Sequence, residues 1–128
     1  MKAFVSKMAP AFKGTAYNPI KSSFEQITLE GLKGQKVLLC FYPLDFTFVC
    51  PTEIRELNSK VSDFDSRNCR VICCSTDSHF SHKAWVELDT NKGGFGNDLK
   101  VSLLSGKHIN FFKIISSTFL CKLLIIKI

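Results

Sequence analysis

The stretch KVLLCFYPLDFTFVCPTEIRELNSKVSDF, residues 36–64, changes its period partway along, and that change decides the fold. Val37 to Tyr42 is a continuous apolar run ended by Pro43, the pattern of a strand buried on both faces. After the loop, Ile54, Leu57, Val61 and Phe64 recur at helical spacing as one stripe. Arg55, Glu56, Asn58, Lys60, Asp63 and Arg67 fall off that stripe, and Arg55 and Arg67 read as solvated. A buried strand feeding an amphipathic helix is the first half of a β-α-β unit.

Working outward, RVICCST (70–76) reads as a second buried strand. DSHFSHKAWVELD (77–89) supplies an Asp or Ser cap and a short helix, NKGGFGND (91–98) a glycine loop, and KVSLLS (100–105) a third strand. Upstream, FEQITLEGLKG (24–34) alternates in part and ends in glycines, as an edge strand or hairpin arm does. The first 24 residues are mixed, with turn signals at Pro10, Gly14 and Pro19. Strand, helix, strand, helix, strand in sequence implies right-handed crossovers onto a mostly parallel central sheet with flanking helices, an α/β fold. Ligands of such sheets gather beyond the carboxyl ends of the strands, where the loop after Tyr42 lies.

The composition bounds the partners. The chain has 128 residues, 45% of them hydrophobic, and a net charge of +6. The acids all lie at or before Asp98, and Lys107, Lys113, Lys122 and Lys127 carry most of the excess. No basic stripe of the kind that tracks phosphates is present, so nucleic acid is not an expected partner. From Lys107 onward the composition shifts to Lys, Ile, Leu, Phe and Ser without acid, Gly or Pro. Phe112, Ile115, Phe119 and Leu123 have helical spacing, while the lysines disfavour a membrane span. We therefore divide the chain into a domain over 1–106 and an apolar, basic tail over 107–128, read as a truncated or misread end.

The six cysteines do not read as a secreted disulfide framework. Cys40, Cys73 and Cys74 sit inside apolar runs, MKAFVSKMAPAFKG lacks the apolar core of a signal peptide, and a reducing cytoplasm is expected. No CxxC spacing supports a metal, and no cofactor is expected. Cys50 differs from the other thiols. It precedes Pro51, a residue suited to the first helical position, and Glu53 follows where a capping box places its acid. A helix start turns backbone N–H groups and a partial positive charge toward such a sulfur and favours the nucleophilic thiolate. If the helix begins at Thr47 instead, Cys50 still lies in its first turn. The Thr47 hydroxyl can donate and accept, as a partner for a peroxide must, and Pro43 can shield the thiolate from water. Pro43, Thr47 and Cys50 are the candidate catalytic residues.

FYPLDFTFVCPTE (41–53) resembles the active-site segment of typical two-cysteine peroxiredoxins, the thioredoxin-dependent peroxidases of the AhpC/TSA family. CSTDSHFSHKAW (74–85) is similar to that family's next strand and helix, and Gly93, Gly94, Gly96 and Leu103-Leu104-Ser105 to its following loop and strand. The likeness runs from about Pro10 to Ser105. It implies a thioredoxin-like fold whose C-terminal part is missing here, and reduction of hydrogen peroxide and alkyl hydroperoxides in antioxidant defence and redox homeostasis. By the same likeness Cys50 is the peroxidatic cysteine, oxidised to sulfenic acid, with Thr47 and Pro43 beside it. Thioredoxin is the implied reductant, and homodimers or decamers the implied assemblies.

The family's later arginine has no counterpart after Arg70, and Cys121 lacks the Val-Cys-Pro surroundings of its resolving cysteine. The alternative reading is thus a catalytically poor fragment acting by association or not at all, with a bare sheet edge. His79 and His82 read as helix-start residues without a carboxylate partner. Trp85 reads as core or pocket wall, placed near the active-site loop by the resemblance, and Cys69, Cys73 and Cys74 as structural thiols.

Overall fold

The computed structural model describes residues 9–47, 50–107 and 122–127, with backbone alone for Cys50 and for 122–127. Strands β1 (Lys13–Asn18) and β2 (Ser23–Thr28) form an antiparallel hairpin. Then follow β3 (Lys36–Phe41), helices α1 (Cys50–Ser59) and α2 (Val61–Ser66), and β4 (Cys69–Ser75). Helix α3 (His79–Glu87), β5 (Ser102–Ser105) and β6 (Lys122–Lys127) complete the order. One six-stranded sheet runs β2-β1-β5-β4-β3-β6.

The expected parallel core is β3, β4 and β5, joined through parallel pairs. The pairs β1–β2, β1–β5 and β3–β6 are antiparallel, so the sheet as a whole is mixed. Strand β1 lay in the stretch read only as mixed. Its Ala16, Tyr17 and Asn18 are buried, yet its first half is polar and half-exposed, which blurs the alternation a sequence reading depends on.

Both faces of the parallel core are buried, and side chains alternate strictly between them. Leu38, Cys40, Val71, Cys73 and Leu103 join one apolar cluster with Ile54, Val61, Trp85 and Val86 from the three helices. Val37, Leu39, Phe41, Ile72, Cys74 and Leu104 join the other, with Phe12, Ala16, Ile27 and Leu32. Burial on both sides is why these strands lack polar alternation in sequence.

Two features depart from the sequence reading. The stripe Ile54–Phe64 is split at Lys60 (φ −107°, ψ 4°) rather than lying on one helix. Just before the break, the Ser59 hydroxyl donates to the Glu56 carbonyl at 2.7 Å, a back-bond that bends helices. The second departure is β6, which lies inside the segment set apart as a tail. It pairs with β3 along its length, from Lys36↔Lys127 to Phe41↔Lys122. Residues 122–127 therefore belong to the sheet, Leu123 is extended rather than helical, and the β3 edge is not bare. Phe112, Ile115, Phe119 and Cys121 lie outside the described residues. Among the described residues no helix is long and apolar enough to cross a membrane.

Candidate active site

The carboxyl ends of β3, β4 and β5 are tied together by their loops. Tyr42 N–H donates to Cys74 O at 3.0 Å, and Gly106 N–H to Ser75 O at 2.7 Å. Ser105 Oγ donates to Asp77 O at 2.7 Å, and Asp45 N–H to Asp77 Oδ2 at 2.6 Å. The loop carrying Pro43 and Thr47 is thus fastened to the turn after β4. Pro43 and Thr47 are both half-buried on it. Thr47 Oγ1 donates to Leu44 O at 3.2 Å, closing the turn and leaving the oxygen's lone pairs to accept.

Helix α1 opens at Cys50, with Glu53 in its first turn. The Cys50 backbone therefore stands where the orphan N–H groups of the helix are found. The Cys50 side chain, with Phe48 and Val49, lies outside the described residues. Pro43 and Thr47 share the loop that leads to this helix start.

Phe46 holds a positive φ of 59°, a left-handed conformation costing a bulky residue roughly 1–3 kcal/mol. The surroundings over-determine it. On one side Asp45 is anchored, and on the other the Phe46 ring lies 6.1 Å from Trp85. Trp85 is fully buried, donates Nε1–H to Gly93 O at 3.0 Å, and touches the rings of Tyr42 and Phe95 at 5.9 and 4.7 Å. The expectation that Trp85 walls the loop is met by these contacts.

Beneath the loop lies a polar network that the sequence reading missed. Tyr42 Oη–H donates to Asp45 Oδ1 at 2.6 Å, and Asp45 Oδ2 lies 2.7 Å from His82 Nδ1. His82 Nε2 lies 3.1 Å from Leu104 O, and Tyr42 Oη is also 3.3 Å from His82 Nδ1. A carbonyl only accepts, so Nε2 carries a hydrogen. The short Nδ1–Oδ2 contact needs a second proton, shared by the pair as imidazolium–carboxylate or as imidazole–carboxylic acid. Burial, then the Asp45 charge, pushes the Tyr42 phenol well above its ordinary value, so it stays a donor. His82 is therefore not a helix-start residue lacking a carboxylate. The available signal was an acid embedded in FYPLDFTF and a histidine on the buried His82–Trp85–Val86 stripe.

Arg55 is exposed, as read, and has two partners nonetheless. Its guanidinium donates to Gly94 O and lies 5.2 Å over the Phe95 ring, holding α1 against the glycine loop. Asn58 joins the two from the same helix, donating to Asp98 O at 3.1 Å and accepting from Lys100 N–H at 2.7 Å. The buried Cys69, Cys73 and Cys74 lie in the core as expected. Among the described residues no group of three or more His, Cys, Asp or Glu could hold a metal.

A mixed sheet with a parallel core, helices on its flank and a cysteine opening the helix after the first parallel strand define a thioredoxin-like fold. The structure superposes with a TM-score of 0.86 on a Plasmodium vivax 2-Cys peroxiredoxin, at 38% identity, covering 98% of this chain and 79% of that one. A Plasmodium yoelii thioredoxin peroxidase I gives the same TM-score at 36% identity, with 94% and 72% covered.

The sequence matches the AhpC/TSA family over residues 5–117, and the chain belongs to that family. The match extends beyond Ser105, the end of the resemblance carried by the quoted motifs. Among curated relatives, a Bos taurus mitochondrial thioredoxin-dependent peroxide reductase is 48% identical over 79% of this chain and 38% of its own length. A Fasciola hepatica thioredoxin peroxidase is 48% identical over 80% of this chain and 51% of its own. The chain thus spans about 38–51% of the length of these relatives.

Proposed function

We propose that this chain reduces hydroperoxides through Cys50. The observation that carries the reading is a cysteine at the first residue of α1, in a chain of the AhpC/TSA family, after a loop fastened to the carboxyl ends of the parallel strands. The Cys50 thiolate, favoured by the helix start, attacks one peroxide oxygen. The O–O bond breaks, the cysteine becomes sulfenic acid, and the other oxygen leaves as water or alcohol after taking a proton. A thiol then displaces water from the sulfenic sulfur to form a mixed disulfide, and a second thiol of the reductant cleaves it, which returns the Cys50 thiol and leaves the reductant as its disulfide. Thr47 Oγ1, with lone pairs to accept and a hydrogen to redirect from Leu44 O, holds the peroxide. Pro43 screens the sulfur from water.

Hydrogen peroxide and small alkyl hydroperoxides are the proposed substrates. Thioredoxin is the proposed source of electrons, in line with the names of the relatives, and self-association into dimers or larger rings is the proposed assembly. A thiol-preserving compartment suits the buried cysteines. The cytoplasm is one, and the mitochondrial names of several relatives put the matrix beside it.

Stopped-flow consumption of hydrogen peroxide by the purified chain tests this. The parent loses the Cys50 thiol rapidly, Cys50→Ser shows no such phase, and Thr47→Val slows it by about 10²-fold or more. Identical slow consumption in parent and Cys50→Ser would leave a fragment without catalysis.

A further inference from the structure

Cys40 and Cys73 play no part in the reaction above, yet they occupy directly paired positions of the adjacent parallel strands β3 and β4. Both side chains turn into the same apolar cluster, and both residues are buried, at 2% and 0% exposed. Cys73 lies within hydrogen-bonding reach of the Cys40 thiol. Adjacent strands run about 4.8 Å apart, inside the roughly 4.4–6.8 Å between Cα atoms that a disulfide spans. We propose that Cys40 and Cys73 form a second redox centre, a dithiol that hydroperoxide closes into a disulfide between β3 and β4.

The two sulfurs have distinct parts. The hydrogen bond from Cys73 draws the Cys40 thiol below its ordinary value, against the opposing effects of burial and of the Glu53 charge. With both thiols in register and turned into one cluster, the step is written with Cys40 attacking. Its thiolate takes one peroxide oxygen, the O–O bond breaks, and the second oxygen leaves as water with the two thiol-derived electrons. Cys73 then attacks the Cys40 sulfenic sulfur, water leaves, and the S–S bond forms. Cys74 is an internal control. It is the neighbour of Cys73 on the same strand but faces the other cluster, where burial pushes its thiol up to about 12. Burial makes the centre slower to oxidise than a thiol at a helix start. Closing it would staple β3 to β4 just before Tyr42, where the loop to Cys50 begins.

The test uses the full chain carrying Cys50→Ser, so it does not depend on the peroxidase reading. The protein is treated with hydrogen peroxide or with diamide, denatured, alkylated, digested with trypsin and mapped by mass spectrometry. The expected product joins the peptide 37–55 to the peptide 71–83, two hydrogens lighter than their sum, with fragmentation placing the bridge at Cys40 and Cys73. Two alkylatable thiols are lost. The bridge disappears on Cys40→Ser and on Cys73→Ser and survives Cys74→Ser. If Cys40 and Cys73 stay alkylatable with both oxidants, go singly to sulfinic acid, or bridge elsewhere, the proposal is overturned. The parent map provides the same readout if a serine variant does not fold.

Discussion

His82 and Asp45, 37 residues apart in sequence, meet at 2.7 Å with side chains 0% and 1% exposed. One comes from α3 and the other from the loop after β3, so the contact fixes that loop to the helix. Removing one partner of a buried pair costs roughly 3–5 kcal/mol, because the other is left uncompensated. His82→Leu and Asp45→Asn should each lower stability in urea titration. The double variant should lose clearly less than the sum, as a coupled pair requires. Additive losses would show that the two side chains do not act as a unit.

The alkaline limb of stability should carry a signature of Cys74. Its folded thiol titrates at about 12, against an ordinary value of 9.0. The unfolded chain therefore releases this proton first. The stabilisation is fully present below pH 9 and declines as pH rises toward 12, by about 1.4 kcal/mol per pH unit. Tyr42 adds to the decline only above its own ordinary value of 10.0. Between pH 9 and 10 the urea midpoint of the parent should fall, and that of Cys74→Ala should fall less steeply. Parallel slopes would contradict a thiol held neutral in the core.

Gly94 is required by space. A Cβ built there would lie 2.1 Å from Leu88 O, a backbone atom that cannot swing aside. Gly94 N–H also donates to Asp89 O at 3.0 Å, and Gly94 O accepts from Arg55. Gly94→Ala should destabilise the chain by roughly 2 kcal/mol or more, read as a lowered thermal midpoint. Gly93→Ala is the comparison. It meets nothing within 4 Å but holds φ +90°, so its cost is backbone strain alone.

What the sequence made legible was set by period and by chemistry. The buried runs of β3 and β4, the Ser78 cap of α3 and the start of α1 follow from local pattern, with β4 and α1 each beginning one residue earlier than RVICCST and a Pro51 first position suggest. The network under the loop was illegible because its members are distant in sequence. Asp45 and His82 are ordinary polar residues until the sheet brings them together. Arg55 is exposed, as its place off the apolar stripe suggested, but its partners were illegible for a related reason: only the glycine loop folding back gives it an acceptor and a ring. β6 was hidden because an apolar run of Leu and Ile is compatible with strand or helix, and pairing with β3 decides.

Arg55 should not be replaceable by lysine. The guanidinium serves two partners at once, a carbonyl and a ring face, and its planar donors suit both. Arg55→Lys keeps the charge but should lose about 1–2 kcal/mol, close to the loss from Arg55→Ala. Urea midpoints of the two variants check this. A lysine variant as stable as the parent would reduce the contact to simple charge.

The pairing of β6 with β3 makes a prediction that depends on backbone alone. An antiparallel strand with one neighbour aims alternate N–H groups at that neighbour and the rest away from it. Proline removes an N–H, so its cost in β6 must alternate along the strand. Leu124 pairs with Leu39 and Ile125 with Leu38, at the middle of the ladder. Of Leu124→Pro and Ile125→Pro, one should be markedly less soluble and less stable than the other, because β3 then presents unpaired groups on an apolar edge that recruits other chains. Sedimentation and thermal unfolding of the two proteins measure the difference. If both behave like the parent, β3 does not need β6 as its neighbour.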